Sequence, residues 1–391
     1  MSLIALLLSL PAAGLSILSA WFLLEVVAPR PKPRGKRGSE PGPIAVIIPA
    51  HNEASGIEPT IADVRAQLRP TDRLIVVADN CTDDTANVAR AAGAEVLERH
   101  DDTKRGKGYA LQHGLEHLRQ NPPSTVVFTD ADCFHEPDLL PRVAWAAEEA
   151  GQPAQTLYLM EASEGAGPSR RVAAFAWRLI NKIRMEGLWT LAKTTRLTGA
   201  GAAFPWSVAE KLALGSGEIV EDLALTLTLA EQGTRVTLVP DVAVRSTFPD
   251  ADDAATVQRA RWEHGSLRMS RTRVPALLSA GLNAPWKAAL ALDVALPPIT
   301  VFAVWMIAAG MFGVVTALFG LFQPLVFAVW AGSFMGLAIV LAYLRDGKSV
   351  LPPQELAKLG GFLASKIGVY GRTGRDSTKS WTRTPRDGES N

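Results

Sequence analysis

The sequence predicts an α/β fold with a mostly parallel sheet, on a chain that also crosses a bilayer about three times. Three observations lead there. Between residues 44 and 129, short apolar runs alternate with helix-like segments, the pattern of a parallel sheet covered on both faces. Three of those runs end in polar clusters, and ligands of such sheets sit at the carboxyl ends of the strands. Finally, Leu3 to Val27, Trp286 to Phe319 and Leu321 to Leu344 are apolar over at least the ~20 residues that a membrane-spanning helix needs.

Taken in order, the first apolar stretch carries no charge until Glu25, and Arg30, Lys32, Arg34, Lys36 and Arg37 follow it. A secretory signal would place its positive charge ahead of the apolar run, so this one reads as an anchor, with residue 30 onward on the cytoplasmic side. The expected organisation is a transmembrane helix over 1–28, a basic Pro/Gly-rich linker over 29–43 and an α/β domain over 44–265. An interfacial segment over 266–285, a transmembrane hairpin over 286–345 and an amphipathic segment with a basic tail over 346–391 complete it. Pro297-Pro298 is expected to break the first arm of the hairpin.

Within 44–265, Ile44 to Ile48, Arg73 to Ala78, Glu95 to Leu97 and Thr125 to Thr129 read as strands. Gly56 to Leu68, Asp83 to Ala92 and Gly106 to Leu118 read as the helices between them. Ala224 to Gln232 reads as a later helix stopped by Gly233, and Arg170 to Arg196 as an amphipathic helix lying among lipid headgroups, its apolar stripe at Val172, Phe175, Leu179 and Ile183. Lys plus Arg (40) balance Asp plus Glu (39), which excludes a general polyanion or nucleic-acid binder. The two cysteines, Cys81 and Cys133, are too few for a disulfide framework and read as unpaired thiols.

The polar clusters are Pro49-Ala50-His51-Asn52-Glu53, Asp79-Asn80-Cys81-Thr82-Asp83-Asp84-Thr85 and Asp130-Ala131-Asp132. On an extended backbone Asp130 and Asp132 point to the same side, and paired like charges ask for a cation. A hard ion such as Mg²⁺ takes one or two carboxylates and fills its other positions with water and phosphate oxygens. Asp79 directly follows a strand and can accept hydrogen bonds from a base or ribose, whereas Asp83 suits the start of the next helix. Lys104-Arg105-Gly106-Lys107-Gly108 opens a helix where donors and cations surround an anion. The small residues from Thr198 to Phe204 let a substrate approach the backbone closely. Acids such as Glu221 and Asp222 at a helix start are also ordinary partners of the helix dipole.

Taken together, Ile47-Ile48-Pro49-Ala50-His51-Asn52-Glu53, Asp79 to Thr85, Arg105-Gly106-Lys107 and Thr129-Asp130-Ala131-Asp132 resemble the catalytic domain of family 2 glycosyltransferases, which have the GT-A nucleotide-sugar-binding fold. Gln258-Arg259-Ala260-Arg261-Trp262 matches the Gln-x-x-Arg-Trp motif of the membrane-bound branch that includes cellulose, chitin and hyaluronan synthases. The resemblance implies that Pro49, Glu53, Asp79, Lys107 and Asp130 line the nucleotide site and that Asp130 and Asp132 bind Mg or Mn. It further implies Asp222 as catalytic base, and Gly199, Glu221, Gln258, Arg259, Arg261 and Trp262 on the acceptor and diphosphate side.

The implied partners are a nucleotide diphosphate sugar, a lipid-linked or glycan acceptor, the inner (cytoplasmic) membrane and proteins of polysaccharide assembly. The implied reaction is inverting transfer to a membrane-associated acceptor. Three spans are fewer than polymer-extruding synthases usually have, and Val220 stands where they commonly carry Thr. A small processive synthase and a non-catalytic nucleotide-sugar-binding scaffold are the alternatives.

Overall fold

The computed structural model describes residues 3–35, 37–163, 165–215, 220–248 and 252–356, by backbone alone over 252–263 and at 356. After helix α1 (Leu3–Val27) come β1 (Ile44–Ala50), α2 (Ile57–Arg65), β2 (Arg73–Asp79), α3 (Thr85–Ala91), β3 (Glu95–Arg99), α4 (Lys107–Leu118) and β4 (Thr125–Phe128). Next are β5 (Phe134–His135), α5 (Leu139–Ala150), β6 (Ala154–Glu161), α6 (Pro168–Arg178), a π-helical turn over Leu179–Arg184, and α7 (Met185–Ala192). The chain continues through β7 (Ala202–Pro205), α8 (Trp206–Ala209), α9 (Glu221–Glu231), β8 (Thr237–Thr247), α10 (Asp252–Ala280) and α11 (Pro285–Ala295). Helices α12 (Ile299–Leu318) and α13 (Gln323–Ala342), a second π turn over Tyr343–Gly347, and α14 (Pro353–Leu356) close it. Two compact units separate, one from Lys32–Ala166 and Lys193–Gly265, the other from Met1–Pro31, Gly167–Ala192 and Ser266–Phe362.

The first unit is built on a sheet of order β3-β2-β1-β4-β7-β6-β8-β5. Strands β3, β2, β1 and β4 run parallel; the apolar sequences of β1, β2 and β4 follow from burial on both faces, whereas β3, at the sheet edge, is charged and partly exposed. Pairing turns antiparallel at β4–β7, where Phe128 faces Ala202, and again at β6–β7 and β5–β8, while β6 and β8 are parallel. Pro49 lies beyond the last β1–β4 pair, Ile47 with Phe128, so its missing N–H costs no bond on that side. The core joins Ile47, Ile75, Val77, Leu111, Leu115, Phe128 and Phe204, with the Phe128 and Phe204 rings 5.0 Å apart. Gly114 lets α4 lie against β1, since a Cβ there would come within 2.9 Å of Ile47 Cγ2.

Several local readings need correction. Helix α3 begins at Thr85 rather than Asp83, and Asp83 accepts the Thr85 N–H at 3.1 Å from outside the helix. The small-residue run ends in a strand, β7, held by pairing on both sides. Helix α9 begins at Glu221, so the acidic pair forms its first turn. Strand β4 stops at Phe128, and Ala131 and Asp132 form a turn. Asp130 and Asp132 therefore flank a bend and do not alternate along a strand.

The second unit contains three helices long and apolar enough to cross a membrane, Leu3–Val27, Ile299–Leu318 and Gln323–Gly347. Helix α1 rests on α13, where Ser16 Oγ donates to the Phe327 carbonyl at 2.7 Å. Pro297 and Pro298 separate α11 from α12, as their lack of N–H groups demands. The headgroup-facing basic stripe expected of 170–196 is not what Arg184 provides. Its side chain is buried, donating to Glu25 Oε2 at 3.0 Å and to Asp293 Oδ1 at 2.8 Å. Lys182 pairs with Asp346 at 2.6 Å and Arg345 with Glu186 at 2.9 Å. A basic helical face cannot announce from sequence whether it will meet lipid or acids of its own chain.

Candidate active site

The register of the parallel strands brings the polar clusters together at one edge. Pro49 is the penultimate residue of β1, Asp79 the last of β2, and Asp130 lies two residues past β4. Two asparagines turn the chain sharply there, Asn52 with φ 54° and Asn80 with φ 52°, in the left-handed region that Asn tolerates better than most residues. Asn52 then stitches the first two loops, accepting the Thr82 N–H at 2.7 Å and donating to Thr82 Oγ1 at 3.1 Å. The Glu53 N–H donates to Thr85 Oγ1 at 2.7 Å, which fixes the start of that loop against α3. Asp79 is buried, and its Oδ1 accepts from Arg99 Nη1 at 2.6 Å and Asn80 Nδ2 at 3.2 Å.

The Asp130–Asp132 turn is held from behind by α2. Thr60 Oγ1 donates to the Ala131 carbonyl at 2.9 Å. The backbone N–H and the Nδ1 of His135 each meet Asp63 Oδ2 at 2.7 Å, and His135 Nε2 pairs with Thr129 Oγ1 at 2.7 Å. With Asp63 accepting, the proton of a neutral His135 sits on Nδ1. Thr129 and His135 are buried, so this hydroxyl–imidazole–carboxylate chain serves as a brace and not as a nucleophile. Asp132 is exposed, while Asp130 is ion-paired with Lys107.

Lys107 opens α4 and reaches across the strand ends, donating to the Gly199 carbonyl at 3.1 Å. Gly199 has φ +86°, which disfavours any side chain, and a Cβ there would lie 3.2 Å from Lys107 Nζ and 3.9 Å from Asp222 Oδ2. Lys107, Asp130, Gly199 and Asp222 thus meet at one point. The loop carrying Gly199 is clamped by buried Gln155, whose Oε1 accepts the Thr198 N–H at 3.0 Å and whose Nε2 donates to the Ala200 carbonyl at 2.7 Å. Asp222 Oδ1 accepts its own helix's Leu223 N–H at 2.7 Å, which leaves Oδ2 on the Gly199 side.

Burial pushes the Glu221 carboxyl up to about 7, against the pull of Lys107 and with a further push from Asp222. Burial likewise raises Asp222, opposed by its bond to Leu223, by Lys107 and by Arg196. For Lys107 the burial penalty is outweighed by Asp130 and Glu221, so its ammonium is held more firmly charged than usual. Burial pushes the Cys133 thiol up as well, and both cysteines are free thiols.

Among the described residues no group of three or more His, Cys, Asp and Glu could hold a metal. The donor set nevertheless fits a hard divalent cation that takes its remaining ligands from phosphate and water. Asp130 and Asp132 would hold it, and Asp130 already carries a positive charge in the form of Lys107. The side chains of Gln258, Arg259, Arg261 and Trp262 lie outside the described residues, although their backbone is part of α10.

Sequence reading missed Asp63, His135, Thr60, Arg99 and Gln155. Gln155 left one faint signal, a polar amide near the start of a mainly apolar run.

The family model described as Glycosyltransferase like family 2 matches residues 41–265, more than half of the chain. A 92-residue stretch is 39% identical to the 4,4'-diaponeurosporenoate glycosyltransferase of Staphylococcus aureus, covering 23% of this chain and 24% of that protein. The chain thus spans about a quarter of the length of the curated relative it matches. The structure of the mannosyltransferase PcManGT from Pyrobaculum calidifontis, in complex with GDP-Man and Mn2+, superposes with a TM-score of 0.52. That likeness covers 88% of this chain and 97% of that one at 20% identity, and shows the GT-A fold.

Proposed function

This chain belongs to the glycosyltransferase-like family 2, and we propose that it is an inverting, metal-dependent enzyme transferring a sugar from a nucleotide diphosphate sugar, a UDP-sugar in preference, to a membrane-associated or lipid-linked acceptor. The observation that carries this reading is the meeting of Lys107, Asp130, Gly199 and Asp222 at the strand ends. Base and ribose lie along Pro49, Glu53 and Asp79. Asp130 and Asp132 would hold a divalent cation, Mn²⁺ or Mg²⁺, which when bound would supply positive charge against the departing diphosphate. Lys107 supplies a second positive charge, tethered at a fixed helix start.

Asp222 accepts the proton of the acceptor hydroxyl, and its raised proton affinity suits a base working near neutral pH. Attack from the face opposite the diphosphate inverts the anomeric centre. Gly199 leaves room for the sugar, and Glu221 with Gln258, Arg259, Arg261 and Trp262 completes the acceptor and diphosphate side. The apolar helices anchor the enzyme in the inner membrane with this unit in the cytoplasm, a placement supported by the basic residues after α1.

The test is turnover by the full chain in detergent across UDP- and GDP-sugars, with Mn²⁺ or Mg²⁺, with product sizing and an acceptor panel that includes 4,4'-diaponeurosporenoate. Metal-dependent addition of one or a few sugars is expected. Long polymer would make the chain a processive synthase, and absence of metal-dependent transfer would make it a scaffold.

A further inference from the structure

One basic side chain is shared by the two parts of the site. Lys107 pairs with Asp130, donates to the Gly199 carbonyl at 3.1 Å, and faces Glu221 and Asp222 across the same space. Its backbone packs closely against a neighbouring loop, since at the next residue, Gly108, a Cβ would come within 2.3 Å of the Leu214 carbonyl oxygen. The side chain is the part with room to change partner. An ammonium is a compact charge on a flexible stem, suited to such a change in a way that a planar guanidinium is not.

We propose that Lys107 is a built-in competitor of the divalent cation for Asp130, so that metal is held weakly by itself and strongly once a diphosphate draws the ammonium away. The proposal rests on the reading of Asp130 and Asp132 as the metal pair. Two cations at one carboxylate repel each other, whereas a diphosphate offers oxygens to both. By linkage the coupling is mutual: nucleotide tightens metal by the factor by which metal tightens nucleotide.

The experiment measures Mn²⁺ affinity of the full chain in detergent, by calorimetry and by loss of the free-ion electron paramagnetic resonance signal, with and without UDP. Wild type should bind Mn²⁺ at least about tenfold more tightly with UDP than without. Lys107→Met should bind Mn²⁺ alone about tenfold more tightly than wild type and respond less to UDP. Lys107→Arg should keep the low affinity for metal alone, and adding Asp130→Asn to Lys107→Met should abolish the gain. Unchanged or weaker binding of metal alone by a folded Lys107→Met protein overturns the proposal. Should that variant not fold, the wild-type measurement decides, and no coupling between Mn²⁺ and UDP or GDP overturns it. Tighter metal binding by Lys107→Met without binding of either nucleotide would uphold the competition while the donor reading failed.

Discussion

Two clusters in this protein set a basic side chain among carboxylates, and they are put to opposite uses. Arg184 lies between Glu25 and Asp293, the three side chains 8%, 0% and 0% exposed. Lys107 lies among Asp130, Glu221 and Asp222, with itself and Asp130 22% and 26% exposed. The guanidinium of Arg184 is fixed by its fork, Nε on Glu25 and Nη2 on both the side chain and the carbonyl of Asp293. The ammonium of Lys107 has no such fork and opens toward solvent. Sealed and forked, a charge cluster becomes a joint between helices; open and swivelling, it becomes a place where charge can be exchanged.

The largest expected effect is at the open cluster. Asp222→Asn should lower transfer about 10²- to 10⁴-fold while nucleotide binding, read by calorimetry, stays near wild type. Near-normal turnover would remove Asp222 from the base role. At the sealed cluster the loss falls on stability. Arg184→Met leaves two carboxylates buried without their cation and should cost about 3–5 kcal/mol in denaturant unfolding. Combining it with Glu25→Leu and Asp293→Leu should recover most of that loss.

A smaller effect is expected at the brace behind the metal turn. His135→Phe removes the imidazole's bonds to Asp63 and Thr129, leaving only the backbone N–H on Asp63, and should raise the Mn²⁺ concentration for half-maximal activity about tenfold. An effect on melting temperature alone would make the brace purely structural.

The pH dependence distinguishes the clusters further. The Glu221 carboxyl at about 7 adjoins Asp222, the proposed base, so kcat/KM should fall about tenfold per unit below that pH. Glu221→Gln should move this limb to lower pH by removing a like charge. Stability changes in the other direction. The folded state binds the Glu221 proton more tightly than the unfolded chain, so its contribution is present below pH 4.5 and lost as pH rises through 7, a drift in melting temperature that Glu221→Gln should flatten. Smallest of all, the exposed pair Arg90–Glu98 should matter little, and Arg90→Ala should leave the denaturant midpoint indistinguishable from wild type.

Strands β1, β2 and β4 were legible because they are apolar on both faces, and the clusters they end in were legible with them. Strand β7 was not, since Ala202-Ala203-Phe204-Pro205 has no strand pattern of its own and is extended because β4 and β6 pair with it. The three helices long and apolar enough to cross a membrane were legible because length and hydropathy are local properties. The partners of charged residues were not. Asp63 and His135 are 72 positions apart, and Arg184 and Glu25 are 159 apart. A helical period announces a polar face without saying what will meet it. The bend at Ala131 was likewise hidden, because a strand end and a turn carry the same Asp-rich composition.

The reversal of strand direction between β4 and β7 has a consequence for engineering. Asp79, Lys107 and Asp130 all lie before or just after β4 in the chain, and Gly199, Glu221 and Asp222 lie just before or after β7. The residues proposed for the donor and those proposed for the acceptor are therefore written in separate stretches of the gene, which meet at the β4–β7 ladder, at the β5–β8 pair and through Lys107. Grafting residues 198–248 from a relative is therefore expected to change the acceptor and to leave nucleotide binding in place.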